Sequence, residues 1–160
     1  MTSEPKILVV GVGNILMMDE GIGVYALREL EKKQLPENVT LTDAGTDIFK
    51  IMSLDNEYHT VIIIDAIRRN EAPGSIYKFS IDEIKVDADD KNAHRISIVE
   101  ALKLIKFSVG NYKNCQMILM GIEPEKIEFG VGLTETVQAK IDTLTELVLK
   151  EIENARSVVS

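Results

Sequence analysis

Short apolar runs alternate with amphipathic helical patterns along this chain, and that alternation restricts the fold more than any other feature. Four runs are bounded by turn or acidic residues, at residues 7–10, 39–41, 61–64 and 117–120. All but the second are continuously apolar, as expected for strands that helices cover on both faces. The alternation predicts βαβ units with right-handed crossovers and a mostly parallel, twisted sheet.

Three helical patterns fill the spaces between these runs. Residues 21–33 place apolar side chains on one face, and residues 96–109 repeat them at helical spacing. A last helix follows Thr134, its expected N-cap, with Glu135 in the first turn. After the Pro73-Gly74 turn signal, residues 75–80 predict a short polar strand at the sheet edge, with a parallel and an antiparallel direction both open. The acidic residues 82–92 predict a surface loop.

These patterns predict a single-domain three-layer α/β/α fold with a twisted, mostly parallel sheet of about five strands. One domain is expected over residues 1–160, with flexible ends at residues 1–5 and 155–160. A chain of this length buries enough apolar surface to fold without a disulfide or structural metal.

Composition excludes several classes of partner. The formal charge is −8 and the basic residues are scattered, which argues against nucleic acid. Cys115 is the single cysteine, so neither an intramolecular disulfide nor a cysteine-based zinc cluster forms. No apolar run approaches the roughly 20 residues of a membrane span. We therefore expect a cytoplasmic protein with no membrane partner.

The chemistry is expected at the carboxyl ends of the strands, where open α/β sheets bind ligands. The chain places five features there: the glycine loop of residues 11–23, the segment 43–47, Asp65, His94 at the start of a helix, and the segment 121–124. Asp43, Gly45 and Thr46 are candidates for lining a substrate cleft, whereas Asp47 is expected to cap a helix.

The glycine loop resembles a dinucleotide site only in part. It follows a strand, and Asp43 stands where a ribose-binding acid would, but Leu16 replaces the third glycine of the fingerprint. Asp19 and Glu20 would also stand at the helix N-terminus, where a pyrophosphate needs bare N–H groups. Two carboxylates there favour a cation over a phosphate.

Glu20, Asp65 and His94 together supply two oxygens and one nitrogen from three separate loops. That donor set suits nickel or zinc better than magnesium. The alternatives are that Asp65 caps a neighbouring helix and that His94 is a solvated surface imidazole.

Several motifs in this order resemble one known family. They are an isolated histidine before an amphipathic helix and, in sequence letters, LVVGVGNILMMDEGIGVYALREL, DAGT, VIIIDAI with PGSIY, and MGIEP. Over roughly residues 6–150 the chain resembles the hydrogenase maturation endopeptidases. The opening motif G-x-G-N-x-L-x-x-D-E-G-x-G is the specific part of the match.

The resemblance implies a peptidase that removes a C-terminal extension from the large-subunit precursor of a nickel–iron hydrogenase after nickel insertion. The family's metal-contacting residues fall on Glu20, Asp65 and His94. The sequence leaves open which group activates water, and Asp65 is the candidate for an accessory catalytic role. Nickel would arrive with the substrate, so no permanent cofactor is expected, and the protein is expected to be a monomer. Ala44, Arg95 and Glu123 depart from the commoner family pattern, which leaves the hydrogenase type open.

Two other functions remain open at the level of sequence. A nickel-sensing chaperone would bind the precursor without cutting it, and a nucleotide-binding module would use the glycine loop. No side chain stands out as a nucleophile, because Ser53 and Ser97 lack a nucleophile elbow and Cys115 precedes a strand at the wrong end of the sheet.

Overall fold

A computed structural model describes residues 4–85, 97–108 and 110–157. Its sheet has five strands in the order β2-β1-β3-β5-β4. The strands are β1 (Ile7–Val12), β2 (Val39–Gly45), β3 (Thr60–Ala66), β4 (Ile76–Ser80) and β5 (Gln116–Ile122). β1, β2, β3 and β5 are parallel, and β4 pairs antiparallel with β5 at the edge. The predicted mostly parallel sheet and its polar edge strand are both confirmed.

Among the described residues, four α-helices accompany the sheet: α1 (Ile22–Glu31), α2 (Ile98–Ser108), α3 (Glu135–Gln138) and α4 (Ile141–Ser157). Short 3-10 turns occur at Met18–Gly21, Ile48–Ser53, Ile81–Glu83 and Gly110–Tyr112. No helix in the described part of the chain is long and apolar enough to cross a bilayer.

Two apolar clusters, one on each face of the sheet, form the core. Leu8 and Val10 of β1 point to the face that α2 covers, whereas Ile7 and Val9 point to the face that α1 and α4 cover. All four are fully buried. The apolar runs are continuous because each strand alternates its side chains between two faces that are both buried by helices, as predicted. The three-layer α/β/α arrangement is confirmed.

The strands extend further than the apolar runs. Asp43 and Gly45 lie inside β2 rather than after it, and Asp65 is the penultimate residue of β3, opposite Gly121 of β5. The hydrogen-bond ladder continues through these residues, although Asp43 is exposed and Gly45 and Asp65 are only partly buried. Apolar runs alone therefore mark the core and not the strand ends.

The last predicted helix is two helices. α3 ends at Gln138 and α4 begins at Ile141, and the apolar spacing of four residues between Val137 and Ile141 hides the break. At its other end α4 includes residues 155–157, which were expected to be part of a flexible end. Ala155 is buried in the core, so the helix is held there by packing.

Candidate active site

A cavity of about 420 Å³ opens at the carboxyl edge of the sheet. Val12 and Gly13 at the end of β1, Glu20 of the following 3-10 turn and Asp65 of β3 form part of its lining. The remaining walls come from the segment after β2 and from the first turns of α2, through residues Thr46, Asp47, Ile48, Phe49, Ile98 and Ala101. The cavity therefore lies where the sheet topology predicted a ligand site.

Glu20 is held at this cavity by its 3-10 turn. Its backbone N–H donates to the carbonyl of Met17 at 3.2 Å, which places the side chain beside the end of β1. The side chain is half-buried, and within the described residues its carboxylate has neither a hydrogen-bond donor nor an ion-pair partner. Such a carboxylate is free to bind a cation.

Asp65 reaches the same cavity from β3. Its Oδ1 accepts a hydrogen bond of 2.8 Å from the backbone N–H of Ala66, and no helix N-terminus in the described structure is capped by it. Burial raises the pKa of Asp65 to about 7, the hydrogen bond from Ala66 lowers it in part, and the negative charge of Glu20 raises it further. The two carboxylates are therefore close enough to repel each other, and a cation between them would relieve that repulsion.

The third predicted ligand, His94, lies outside the described residues, as does Arg95. Within residues 4–85, 97–108 and 110–157, no three His, Cys, Asp or Glu side chains form a group that would hold a metal ion. The described part of the site thus brings together two carboxylates, those of Glu20 and Asp65. The assignment of His94 stays a prediction.

The segment after β2 divides into two roles. Thr46 lines the cavity, as predicted. Asp43 and Gly45 are not among the lining residues; Asp43 is exposed and accepts a hydrogen bond from the backbone N–H of Gly45 at 2.8 Å. Gly45 has a φ of +56°, a left-handed conformation that glycine adopts without strain. Asp47 caps the 3-10 turn by accepting from Phe49, as expected.

Asp19, although adjacent to Glu20, turns away from the cavity. It is fully buried, and its carboxylate accepts hydrogen bonds from the backbone N–H groups of Glu125, Lys126 and Thr134 and from the Thr134 hydroxyl. This carboxylate ties the loop after β5 to the 3-10 turn. Thr134 does stand at the N-cap of α3, but its hydroxyl binds Asp19 instead of capping the helix.

The glycine loop serves close packing and not phosphate binding. A Cβ at Gly13 would lie 2.1 Å from the carbonyl oxygen of Glu20, and one at Gly23 would lie 2.1 Å from that of Ile64. Asn14 stabilises the turn by accepting a hydrogen bond from the backbone N–H of Leu16 at 2.9 Å. A pyrophosphate would need free backbone N–H groups between the strand and the helix. The 3-10 turn occupies that position, and its first N–H groups already donate to backbone carbonyls.

Cys115 has the structural role expected for it. The side chain is buried, and its Sγ donates to the carbonyl of Tyr112 at 3.0 Å. Burial raises the pKa of the thiol to about 11, with Lys106 lowering it and Asp82 raising it. A thiol in that state is a poor nucleophile at neutral pH. His59 is half-buried at the amino edge of the sheet, opposite to the edge where the cavity opens, and its ring forms a hydrogen bond with the Thr60 hydroxyl.

Sequence reasoning missed the role of Glu123, which appeared only as a departure from a family pattern. Glu123 is buried, and its Oε1 accepts from the Tyr77 hydroxyl and from the backbone N–H groups of Arg69 and Glu71. Burial acts to raise the pKa of this carboxyl, but these hydrogen bonds and the charge of Arg68 outweigh it, so the pKa is lowered. Its partners lie about 50 residues away, and no local pattern reveals them.

Known proteins similar to this chain share both its sequence and its fold. The sequence model of the hydrogenase maturation protease family matches residues 24–151. The hydrogenase 2 maturation protease of Escherichia coli is 32% identical over 153 residues, which is 94% of this chain and 92% of that protein. A putative hydrogenase maturation protease of Methanocaldococcus jannaschii is 31% identical over 156 residues, with 94% and 98% covered.

Solved structures agree with this result. The hydrogenase maturating endopeptidase HybD from Escherichia coli superimposes with a TM-score of 0.76 at 31% identity, covering 94% of this chain and 93% of that one. The protease HycI from Thermococcus kodakarensis, at 18% identity and with 93% of each chain covered, has a TM-score of 0.77 and supports the fold alone. The chain is a peptidase and belongs to the hydrogenase maturation protease family.

Proposed function

We propose that this protein removes a C-terminal extension from the nickel-loaded large-subunit precursor of a nickel–iron hydrogenase. The main support for this proposal is that Glu20 and Asp65 line one cavity in a chain of the hydrogenase maturation protease family. Nickel is part of the substrate in this proposal, and it acts as the signal that the precursor is ready for trimming. No resident cofactor is needed.

The electrostatics of the cavity support a substrate that carries a cation. The Glu20 carboxylate has no partner within the described structure, and its charge disfavours ionisation of Asp65. A nickel ion entering with the precursor would bind both carboxylates and remove their mutual repulsion. His94 is proposed as the third ligand, because imidazole nitrogen suits nickel.

The reaction proposed is hydrolysis of the scissile peptide bond: water attacks the carbonyl carbon, the C–N bond breaks, and the proton lost by the water passes to the amine of the released extension. Asp65 is proposed to assist as an accessory proton acceptor, in line with its position at the cavity. Side-chain nucleophiles have little support in this structure. The Ser53 hydroxyl is engaged with the carbonyl of Lys50, the Ser97 hydroxyl accepts from Glu100, and Cys115 is buried.

The experiment that tests this proposal compares nickel-loaded and nickel-free precursors. Each is mixed with the protein, and C-terminal trimming is followed by intact mass, with complex formation measured by size exclusion. We expect trimming of the nickel-loaded form alone, by a monomeric protein. Trimming of both forms would contradict nickel recognition, and a stable complex with intact precursor would favour the chaperone hypothesis.

A further inference from the structure

A second cavity, of about 510 Å³, adjoins the active site. One wall is the chain that follows Asp65 directly, from Ala66 to Arg69, and another is Ile98 of α2, which also lines the active-site cavity. The rest of the lining is mainly apolar and includes Phe79 and Leu119. If a peptide is bound across Asp65, the residues next to the scissile bond would enter this cavity.

Two arginines provide the charge of this cavity. Arg68 and Arg69 both line it, and neither forms an ion pair within the described part of the chain. The Arg69 guanidinium lies over the Phe79 ring, 4.7 Å from its centroid, which holds the planar group in one orientation. Among the described residues, two adjacent arginines without an ion-pair partner form a local excess of positive charge in a protein of net charge −8.

The backbone that carries these arginines is fixed by hydrogen bonds to the buried carboxylate of Glu123. Glu123 accepts hydrogen bonds from the N–H of Arg69 at 2.8 Å and from that of Glu71 at 3.2 Å. The Tyr77 hydroxyl of the edge strand donates to the same oxygen at 2.7 Å. Three donors on one buried oxygen fix the backbone that carries the arginines before any ligand arrives.

We propose that Arg68 and Arg69 bind a carboxylate of the substrate's C-terminal segment and thereby select the peptide that enters the active site. This rests on the function proposed above. A guanidinium binds a carboxylate through two parallel hydrogen bonds, and apolar walls accommodate the aliphatic part of the same residue. The carboxylate is either an acidic side chain of the extension or its chain terminus.

The test is steady-state trimming of nickel-loaded precursor by the wild-type protein and by the Arg68→Gln/Arg69→Gln variant. We expect the variant to raise KM about tenfold, roughly the worth of one charge-assisted hydrogen bond, with kcat nearly unchanged. Arg28→Gln is the matched control, because Arg28 stacks on Tyr25 of α1 and lies outside both cavities. It is expected to keep the wild-type KM.

Substrate variants keep the inference falsifiable if the double variant folds poorly. With wild-type protein, a precursor ending in a carboxamide and one with its acidic tail residues changed to amides are compared, and the one with raised KM identifies the carboxylate. An Arg68→Glu/Arg69→Glu variant should recover on a lysine-bearing tail. Unchanged KM for both substrates overturns this inference alone, whereas absence of any trimming by wild type overturns the proposed function and this inference with it.

Discussion

Adjacent carboxylates at residues 19 and 20 have opposite roles. Asp19 is fully buried and saturated with hydrogen bonds, whereas Glu20 faces the cavity and has no partner among the described residues. A saturated carboxylate has no lone pair to offer a metal, so only the second of the pair is available as a ligand. The difference arises from the 3-10 turn, in which consecutive side chains are separated by about 120° around the helix axis.

The substitutions Glu20→Gln, Asp65→Asn and His94→Ala are each expected to abolish trimming of nickel-loaded precursor. Their melting temperatures should not fall, because each of the two described carboxylates contributes repulsion and not stability at neutral pH. Trimming is followed by mass and melting by circular dichroism. Glu29→Gln on α1 is a matched control that should retain activity. Retained trimming with a large melting shift would show a structural role instead.

The substitution Asp19→Ala is expected to lower the free energy of unfolding by about 2–4 kcal/mol, because buried N–H donors lose their acceptor. Chemical denaturation measures this loss. Asp47→Ala, which removes only an exposed cap, should cost about 1 kcal/mol. Equal losses in the two variants would show that the Asp19 network contributes no more than a surface cap.

At the scale of elements, α1 lies unusually close to the sheet. Gly23 in its first turn approaches the carbonyl oxygens of Val12 and Ile64, and Gly11 of β1 approaches the carbonyl of Gly23. This contact brings the 3-10 turn and Glu20 against the ends of β1 and β3. The glycines of the opening motif therefore contribute to the active site indirectly, by allowing the close helix–sheet packing that positions Glu20.

The substitution Gly23→Ala tests this packing. Alanine normally stabilises a helix by about 1 kcal/mol relative to glycine, but here its Cβ would lie 2.1 Å from a backbone oxygen, so we expect a lower melting temperature and lost trimming. The matched control is Gly110→Ala, whose Cβ would meet nothing within 4 Å and which should fold normally. A stabilised and active Gly23→Ala variant would contradict the account.

Strands and helices could be predicted from sequence where burial dictates the pattern. β1 and β3 were located because both of their faces are covered, and the edge strand β4 because its polar run follows a turn signal. The break between α3 and α4 could not be predicted, because Val137 and Ile141 keep helical spacing across it. Strand ends were placed too early because the hydrogen-bond ladder continues beyond the apolar runs, through Asp43 of β2 and Asp65 of β3.

At the scale of the whole molecule, the features that could not be predicted from the sequence are contacts between residues far apart along the chain, above all hydrogen bonds to buried carboxylates. Glu20 and Asp65 were placed together correctly, since the carboxyl ends of parallel strands share one edge. Asp19 and Glu123 bind donors far away along the chain, and the arginine-lined cavity exists only once β3, β4 and α2 are assembled. Local periodicity carries no information about such contacts.

Glu123 makes overall stability depend on pH. Its pKa in the folded protein is lowered from the ordinary value of 4.5, so the stability it contributes is present above that value and is lost as pH falls through the folded pKa. Wild type should therefore lose stability in acid more steeply than Glu123→Gln, measured by denaturation between about pH 3 and 7. Parallel pH profiles for the two proteins would contradict this assignment.

Glu20 and Asp65 are proposed to contact nickel carried by the substrate, and nickel X-ray absorption spectroscopy detects such a contact. Spectra are compared for nickel-loaded precursor alone and for its complex with the protein, frozen before trimming. We predict additional oxygen or nitrogen scatterers around nickel in the wild-type complex, reduced in number with Glu20→Gln and with Asp65→Asn. An unchanged nickel shell in a wild-type complex that goes on to trim would contradict the account.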